Sequence, residues 1–170
     1  MKNQVFIING SGTSGKDSFV QLTQELFNKN FNVYNISSVT RIKQALRLLG
    51  WDGISKFAKD RKFMSILKIL SDHFYNHSEE YMLSEWRKFQ PNYLGFFHIR
   101  EPEKIESFKN RLKKYEINPF TILVKRDNIN SFNNRADQNV ENYDYDFIIE
   151  NNGSLAQLQD KCFNLINEVL

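Results

Sequence analysis

Apolar and polar residues along the chain follow two alternating patterns, one typical of buried strands and one typical of amphipathic helices. Residues 4–9 are mostly apolar at consecutive positions, as expected of a strand that is buried on both faces of a parallel sheet. Apolar residues then recur at spacings of three and four over residues 16–29, which predicts a helix. The alternation continues, and predicts further strands over 31–37, 93–99, 120–124 and 145–149 and further helices over 39–49, 102–115 and 154–169.

The region 60–89 has a helical period in its first half and becomes more polar in its second half. It predicts one long helix or two helices separated by a break. Two other predicted helices have clear inward faces. Helix 102–115, with Pro102 in its first turn, is expected to pack through Ile105, Phe108 and Leu112, and helix 154–169 through Leu155, Leu158, Phe163 and Ile166.

Five strands that alternate with helices predict an α/β protein of three layers, with a five-stranded parallel sheet flanked by helices. We interpret residues 1–170 as a single domain without linkers or internal repeats. A helical insertion is expected over residues 38–90. Residues 126–143 are polar and lack a hydrophobic period, and an excursion of this length in a compact domain usually has a functional role.

Composition narrows the class of protein. With 170 residues, of which 41% are hydrophobic and 25% charged, the chain fits a globular protein and excludes disordered or collagen-like classes. Its apolar stretches are too short to span a membrane, and its N-terminus is a poor signal peptide. Together with the single Cys162, these features predict a cytoplasmic protein. The net charge of +3 suits a small anionic substrate and makes nucleic acid a less favoured partner.

A glycine-rich turn, GSGTSGK at residues 10–16, joins the first strand to the first helix and matches the glycine and lysine positions of the phosphate-binding pattern GxxxxGK[ST]. Glycines let backbone N–H groups and the helix N-terminus surround phosphate oxygens, and Lys16 adds a full charge. The strand before and the helix after favour this motif over an ordinary Gly/Ser turn. The predicted phosphate-binding residues are Gly10, Ser11, Gly12, Thr13, Ser14, Gly15, Lys16, Asp17 and Ser18.

Asp17 occupies the position where the pattern has a hydroxyl residue, and Ser18 comes one position later. A carboxylate beside a bare triphosphate would be repelled, so Asp17 fits best if a divalent cation lies between the two. We therefore expect Asp17 and Ser18 to hold Mg²⁺. The alternative is that Asp17 only interacts favourably with the positive end of the helix dipole.

The sequence SGKDSF at residues 14–19 resembles the GKD[ST] loop of deoxynucleoside monophosphate kinases and phosphomevalonate kinases, within the P-loop nucleoside monophosphate kinase-like group. The resemblance is specific over the first strand, loop and helix, and looser over the rest of the chain. It implies a P-loop NTPase fold, ATP as the phosphoryl donor and Mg²⁺ as cofactor. It leaves the identity of the acceptor open.

Phosphoryl transfer between two nucleotides gathers about six negative charges, of which one Mg²⁺ offsets two, so basic side chains must offset others. Arg100 and Arg126 follow predicted strands, and we expect them beside the glycine-rich loop at the carboxyl edge of the sheet, where ligands bind in open parallel sheets. The resemblance implies that Arg100 grips the acceptor phosphate. It also implies that Arg126 and Arg135 act catalytically from a lid over residues 126–143.

The same resemblance places acceptor binding in the region 38–90, where Arg41, Lys43 and Arg61 are the candidate residues. A charged, solvated helix face is the alternative interpretation of these three. For Arg100 the alternative is a surface ion pair with Glu101.

The chain departs from the family pattern at the end of the third strand. Relatives usually have an acidic residue there that holds Mg²⁺ through water, whereas this chain has His98, which we expect to be a core or cleft histidine. Glu101, three residues later, is the candidate metal ligand that would replace that carboxylate. Glu101 fits equally well as a residue that caps the following helix.

The sequence thus predicts an ATP- and Mg²⁺-dependent phosphotransferase that acts on small-molecule nucleotide substrates, with a nucleoside or deoxynucleoside monophosphate as acceptor. A kinase for another phosphorylated acceptor, such as phosphomevalonate, is the first alternative. A non-catalytic ATP-binding sensor module is the second, because His98 and Asp17 are atypical. The oligomeric state stays open.

Overall fold

The computed structural model describes residues 2–55, 57–127 and 140–170. Its strands are β1 (Gln4–Asn9), β2 (Asn32–Ser37), β3 (Tyr93–His98), β4 (Phe120–Lys125) and β5 (Phe147–Glu150). Its helices are α1 (Lys16–Phe27), α2 (Thr40–Leu48), α3 (Ala58–Tyr75), α4 (His77–Trp86), α5 (Pro102–Lys113) and α6 (Leu155–Val169). Strands and helices alternate as the hydrophobic pattern predicts, and the region 60–89 forms two helices.

The strands form one five-stranded parallel sheet in the order β2-β3-β1-β4-β5. In the middle of the sheet, Ile8 of β1 lies opposite His98 of β3, and Asn9 lies opposite Leu123 of β4. Because the strands are parallel, the segments that follow β1, β3, β4 and β5 all leave the sheet at its carboxyl edge. The predicted α/β class with a five-stranded parallel sheet flanked by helices is confirmed.

The core lies on both faces of the sheet. On one face, Phe6 and Ile8 of β1 belong to a buried cluster with α1 and α6. On the other face, Phe97 of β3 packs against Phe108 of α5, with 4.9 Å between the ring centroids. Ile105, Phe108 and Leu112 are fully buried, which confirms the predicted inward face of α5. These contacts give the three layers predicted from the sequence.

The chain divides into two compact units. The first unit, Met1–Asn35 with Phe89–Leu170, holds most of the sheet with α1, α5 and α6. The second unit, Ile36–Lys88, holds α2, α3 and α4. Within it, α3 ends at Tyr75, and the next residue, Asn76, has a left-handed backbone (φ 45°) that turns the chain into α4. The Asp72 carboxylate accepts a hydrogen bond of 2.8 Å from the Ser78 N–H after this turn.

Two local predictions are wrong. Strand β5 begins at Phe147 rather than at Tyr145, because each bond between Asp146 and Thr121 uses a side chain in place of a backbone pair. The Asp146 Oδ2 accepts from the Thr121 N–H and hydroxyl, and the Asp146 N–H donates to that hydroxyl. In α6, Leu155 and Phe163 are exposed (63% and 51%). The buried residues of α6 are Leu158, Cys162, Leu165 and Ile166.

Candidate functional site

The loop of residues 10–15 lies directly against the end of β4. Gly10 has a φ of 147°, and a Cβ at this position would lie 2.3 Å from the Val124 carbonyl oxygen. No side chain fits in that space. Thr13, with a φ of 66°, adds a second left-handed turn within the loop. The loop is therefore compact, and the Ser14 N–H donates back to the Ser11 carbonyl at 3.2 Å.

Asn151, which follows β5, anchors the other end of the loop. Its side-chain Nδ2 donates to the Ser14 carbonyl at 2.9 Å, and its N–H donates to the Lys125 carbonyl at 2.7 Å. The same Nδ2 lies only 2.2 Å from the place that a Cβ of Gly15 would occupy. Gly15 also has a left-handed φ of 101° at the N-cap of α1. Both space and backbone conformation therefore require glycine here.

Lys16, the first residue of α1, folds back over the loop. Its Nζ donates to the Gly10 carbonyl at 2.5 Å and to the Ser11 carbonyl at 2.7 Å, and the residue is only 9% exposed. A full positive charge is thus held at the centre of the loop, beside the N-terminus of α1. The N–H groups of a first helical turn have no partners inside the helix, so charge and N–H donors point to the same region. This is the arrangement of an anion-binding site.

A cleft of about 380 Å³ opens beside the loop. It brings Lys16, Asp17 and Ser18 together with Arg126, which follows β4. Asn151 and Gly153 also line the cleft, with Leu155 and Leu158 of α6. Leu155 is exposed because it faces this cleft in the first turn of α6. The remaining lining residues are Thr13 and Gly15.

The residues expected to hold Mg²⁺ are only partly brought together. Asp17 and Ser18 both line the cleft, and a carboxylate and a hydroxyl are oxygen donors that fit Mg²⁺. Glu101 is the N-cap residue of α5 and does not line this cleft; its carbonyl accepts from the Lys104 and Ile105 N–H groups. Among the residues that the structure describes, no group of three His, Cys, Asp or Glu side chains is arranged to hold a metal ion.

The predicted basic residues lie in three different places. Arg126 lines the cleft, whereas Arg100 follows β3 and is linked to the base of the loop through its carbonyl, which accepts from Asn9 Nδ2 at 2.9 Å. Arg135 lies outside the described residues. Arg41 and Lys43 of α2 and Arg61 of α3 belong to the second unit and are exposed.

Arg41 has a contact within the second unit. Its guanidinium lies over the ring of Tyr81, 4.8 Å from the centroid, as in a cation–π interaction. His98 is the last residue of β3 and is partly buried, in agreement with the expected core or cleft histidine.

Sequence reasoning missed Asn9 and Tyr145 as parts of this site. Both are buried, and the Asn9 side chain donates to the Tyr145 hydroxyl at 2.7 Å directly beneath the loop. The polar residue at the end of a buried apolar strand was the signal available for Asn9. Its partners are 91 and 136 residues away in the chain, so no local pattern could identify them.

Two comparisons with known proteins gave no match: no protein-family model and no curated protein sequence matches the chain. Within the described part of the chain, no helix is long and apolar enough to cross a membrane.

Solved structures do share the fold. The APS kinase CysC of Mycobacterium tuberculosis, in complex with AMPPNP and APS, is 12% identical, with 98% of each chain covered and a TM-score of 0.54. TT1252 from Thermus thermophilus is 14% identical, with 100% of each chain covered and a TM-score of 0.55. APE1195 is 12% identical over 99% of this chain and 97% of that chain, with a TM-score of 0.58.

At identities of 12–14%, these likenesses concern the course of the backbone. They extend over nearly the whole length of each chain, and one of the similar structures is a kinase by name. The glycine-rich loop between β1 and α1 lies at the carboxyl edge of the sheet, as the fold requires. The chain therefore shares its α/β fold with this kinase and with the two other solved structures.

Proposed function

We propose that this protein is an ATP-dependent phosphotransferase that moves the γ-phosphoryl group of ATP to a nucleoside or deoxynucleoside monophosphate. The observation that carries the proposal is the loop of residues 10–15, which curls around the Lys16 ammonium at the N-terminus of α1. Such a loop offers backbone N–H groups and one full positive charge at a single point. The β- and γ-phosphates of ATP require both.

In this proposal the protein supplies charge and position, and forms no covalent bond with either substrate. Lys16 binds the β- and γ-phosphates, and Arg100 holds the phosphate of the acceptor. Arg126 and Arg135 stabilise the charge of the transition state. Arg41, Lys43 and Arg61 of the second unit bind the acceptor.

Asp17 and Ser18 are the proposed residues for Mg²⁺, because both line the cleft beside Lys16. Mg²⁺ in such sites is held by one or two protein oxygens together with phosphate oxygens, and when bound it neutralises phosphate charge. Glu101 is a third candidate ligand. Its place at the start of α5 makes it the one whose replacement should affect Mg²⁺ dependence least.

The likeness to APS kinase supports a reaction of two substrates, since that structure contains AMPPNP and APS together on a chain of this fold. The choice of a monophosphate as acceptor rests on the resemblance of SGKDSF to the loop of deoxynucleoside monophosphate kinases. We also propose a cytoplasmic location, where the free thiol of Cys162 would stay reduced.

The test is an assay of ADP formation from ATP with Mg²⁺ against a panel of acceptors. The panel contains the ribo- and deoxyribonucleoside monophosphates, with phosphomevalonate and APS as other phosphorylated acceptors. Lys16→Ala is expected to lower kcat by about 10²–10³-fold, because it removes a charge aimed at the transferred group. Lys29→Ala, which changes an exposed lysine just beyond α1, is the matched control and should leave kcat unchanged.

The outcomes of this assay test the choice of acceptor and the enzymatic activity separately. Turnover with one or more monophosphates that is lost in Lys16→Ala supports the proposal as stated. Turnover restricted to phosphomevalonate or APS overturns the choice of acceptor but keeps the phosphotransferase. If no acceptor gives turnover above the Lys16→Ala background while calorimetry detects ATP binding, the protein is a nucleotide-binding module and not an enzyme.

A further inference from the structure

One buried side chain, that of Asn9, joins three segments at the base of the loop. Its Nδ2 donates to the Arg100 carbonyl at 2.9 Å and to the Tyr145 hydroxyl at 2.7 Å. Its Oδ1 accepts from the Gly10 N–H at 2.8 Å. Both amide protons of Asn9 and its carbonyl oxygen are therefore used, and the residue is fully buried.

The orientation of the Asn9 amide follows from its partners. Gly10 offers a backbone N–H, which can only donate, and Arg100 offers a carbonyl, which can only accept. The Asn9 oxygen must therefore face Gly10 and its nitrogen must face Arg100. Aspartate in this place would have no proton for the Arg100 carbonyl, and a shorter side chain would not reach it. The position thus requires an amide of this length.

Arg100 is positioned through this bond. Strand β3 runs beside β1, with His98 opposite Ile8 in the last β1–β3 pair, so Arg100 lies two residues beyond that pair, whereas Asn9 still pairs with Leu123 of β4. Arg100 therefore lies outside the β1–β3 pairing, and the bond from the Asn9 side chain to its carbonyl ties the Arg100 backbone to the end of β1. The bond sets the distance between the backbone of Arg100 and the start of the loop.

Tyr145 connects Asn9 to a third segment, residues 140–146; we call these linked hydrogen bonds of Asn9 and Tyr145 the junction. Its hydroxyl accepts from Asn9 and donates to the Val140 carbonyl at 2.8 Å. Burial raises the pKa of this hydroxyl to about 12, so it keeps the proton that it donates even at alkaline pH near 10. The segment 140–146 leads into β5 and from there to Asn151, which holds the other end of the loop.

We propose that Asn9 and Tyr145 are positioning residues that hold the loop, the Arg100 backbone and the segment 140–146 in one fixed arrangement for the transfer step. The inference rests on the proposed function, because it assigns Arg100 to the acceptor and the loop to ATP. Neither Asn9 nor Tyr145 touches a reacting group in this proposal. Their loss should therefore act on the acceptor and on turnover more than on ATP binding.

The first test is Tyr145→Phe, which removes one oxygen and keeps the aromatic ring. Because the change removes the bonds to Asn9 and Val140, we expect kcat/KM for the acceptor to fall about tenfold, equivalent to about 1.4 kcal/mol, while the Kd for ATP stays within about twofold. Tyr34→Phe is the matched control, since the Tyr34 hydroxyl accepts from the Gln90 N–H at the edge of the same unit. It should change neither constant.

The second test is the pair Asn9→Ala and Asn9→Ala/Tyr145→Phe. Asn9→Ala removes the bonds to Arg100, Tyr145 and Gly10 together, so it should lower kcat/KM for the acceptor more than Tyr145→Phe does. The double variant should lose less than the product of the two single effects, because both single variants remove the same Asn9–Tyr145 bond. Independent effects that multiply would contradict the shared junction.

The outcomes separate this inference from the proposed function. If the unaltered protein turns over an acceptor but Tyr145→Phe behaves like Tyr34→Phe, the positioning role is wrong and the phosphotransferase stands. If the unaltered protein turns over no acceptor, the proposed function fails first, and amide hydrogen exchange then decides the junction. Tyr145→Phe should speed amide exchange in peptides covering 9–12, 99–102 and 140–144. Equal exchange rates in Tyr34→Phe and Tyr145→Phe would overturn the positioning role of Tyr145.

Discussion

Helix α5 of the first compact unit and helix α3 of the second are buried to very different extents. In the first unit, α5 places Ile105, Phe108 and Leu112 at 0% exposure against the sheet. In the second unit, α3 is longer, with 18 residues, yet none of its residues is buried, and Phe74 is 70% exposed. Both helices have apolar residues at helical spacing. The comparison shows that such spacing identifies an apolar face but does not tell whether anything covers that face.

This difference in burial should affect local stability, that is, the free energy needed to open each region. Local contact density and burial determine how much free energy is needed to open a region. The first unit has buried helices on both faces of its sheet, so we expect it to open only on global unfolding. We expect α3 of the second unit, which has no buried residue, to open at lower cost.

The largest difference in stability is expected between two phenylalanine replacements, one at a buried position and one at an exposed position. Phe96→Ala removes a fully buried ring that stacks on Phe6 at 4.9 Å, and should lower the free energy of unfolding by about 3–5 kcal/mol. Phe74→Ala, the matched change in α3, should alter it by less than about 0.5 kcal/mol. Urea denaturation followed by circular dichroism measures both. A loss above about 2 kcal/mol for Phe74→Ala would show that the face of α3 is covered in solution.

The next largest effect on stability is expected at alkaline pH, and it should arise from buried groups of the first unit. Burial raises the pKa of Tyr145 to about 12, above the ordinary value of 10. Between pH 10 and 12 the unfolded chain loses this proton while the folded chain keeps it, so the contribution of Tyr145, on the order of 2 kcal/mol, is complete below pH 10 and lost as the pH rises to 12. Burial likewise raises the pKa of the Cys162 thiol to about 12 from 9.0, which adds a loss of the same sign from pH 9.

The measurement is the urea midpoint at pH 8, 10 and 11.5. Tyr145→Phe should show a shallower fall than the unaltered protein. Parallel curves for Tyr145→Phe and the unaltered protein would mean that the phenol ionises as readily in the folded state as in the unfolded one.

The smallest effect concerns helix caps. Ser154 and Gln157 form a capping box at the start of α6 in the first unit, whereas Phe57 at the start of α3 gives no side-chain cap. Ser154→Ala should cost about 1 kcal/mol. Ser65→Ala within α3 is the matched control and should stay within about 0.5 kcal/mol. Thermal melting curves measure both losses of stability. Equal losses for the two variants would show that the cap of α6 contributes no more than an ordinary position within α3.

The sequence was sufficient for the parts of the fold that depend on local pattern. Strand β1 has the predicted bounds, and the break in the region 60–89 falls at Asn76, a residue that tolerates left-handed backbone. The start of β5 could not be predicted, because it depends on bonds between Asp146 and Thr121, 25 residues apart. The exposure of Leu155 could not be predicted either, since it depends on the cleft that other segments form.

The candidate site also has parts that the sequence could predict and parts that it could not. The loop and Lys16 are contiguous in the chain, so a motif describes them. The residues that hold the loop in place, Asn9 and Asn151, act through partners up to 137 residues away. Arg100 and Arg126 could be placed at the carboxyl edge from strand order alone. Of the two, only Arg126 lines the cleft, and that difference depends on how the segments after β3 and β4 pack in three dimensions.

The close approach of Asn151 to Gly15 restricts how this protein can change over time. Any side chain at position 15 would collide with the Asn151 amide, and loss of that amide would release the Ser14 carbonyl. Neither residue can be replaced first without damage, and the left-handed backbone of Gly15 penalises most replacements even if both change together. Descendants that keep the activity should therefore inherit this pair as a unit, and random mutagenesis under selection should leave both positions unchanged.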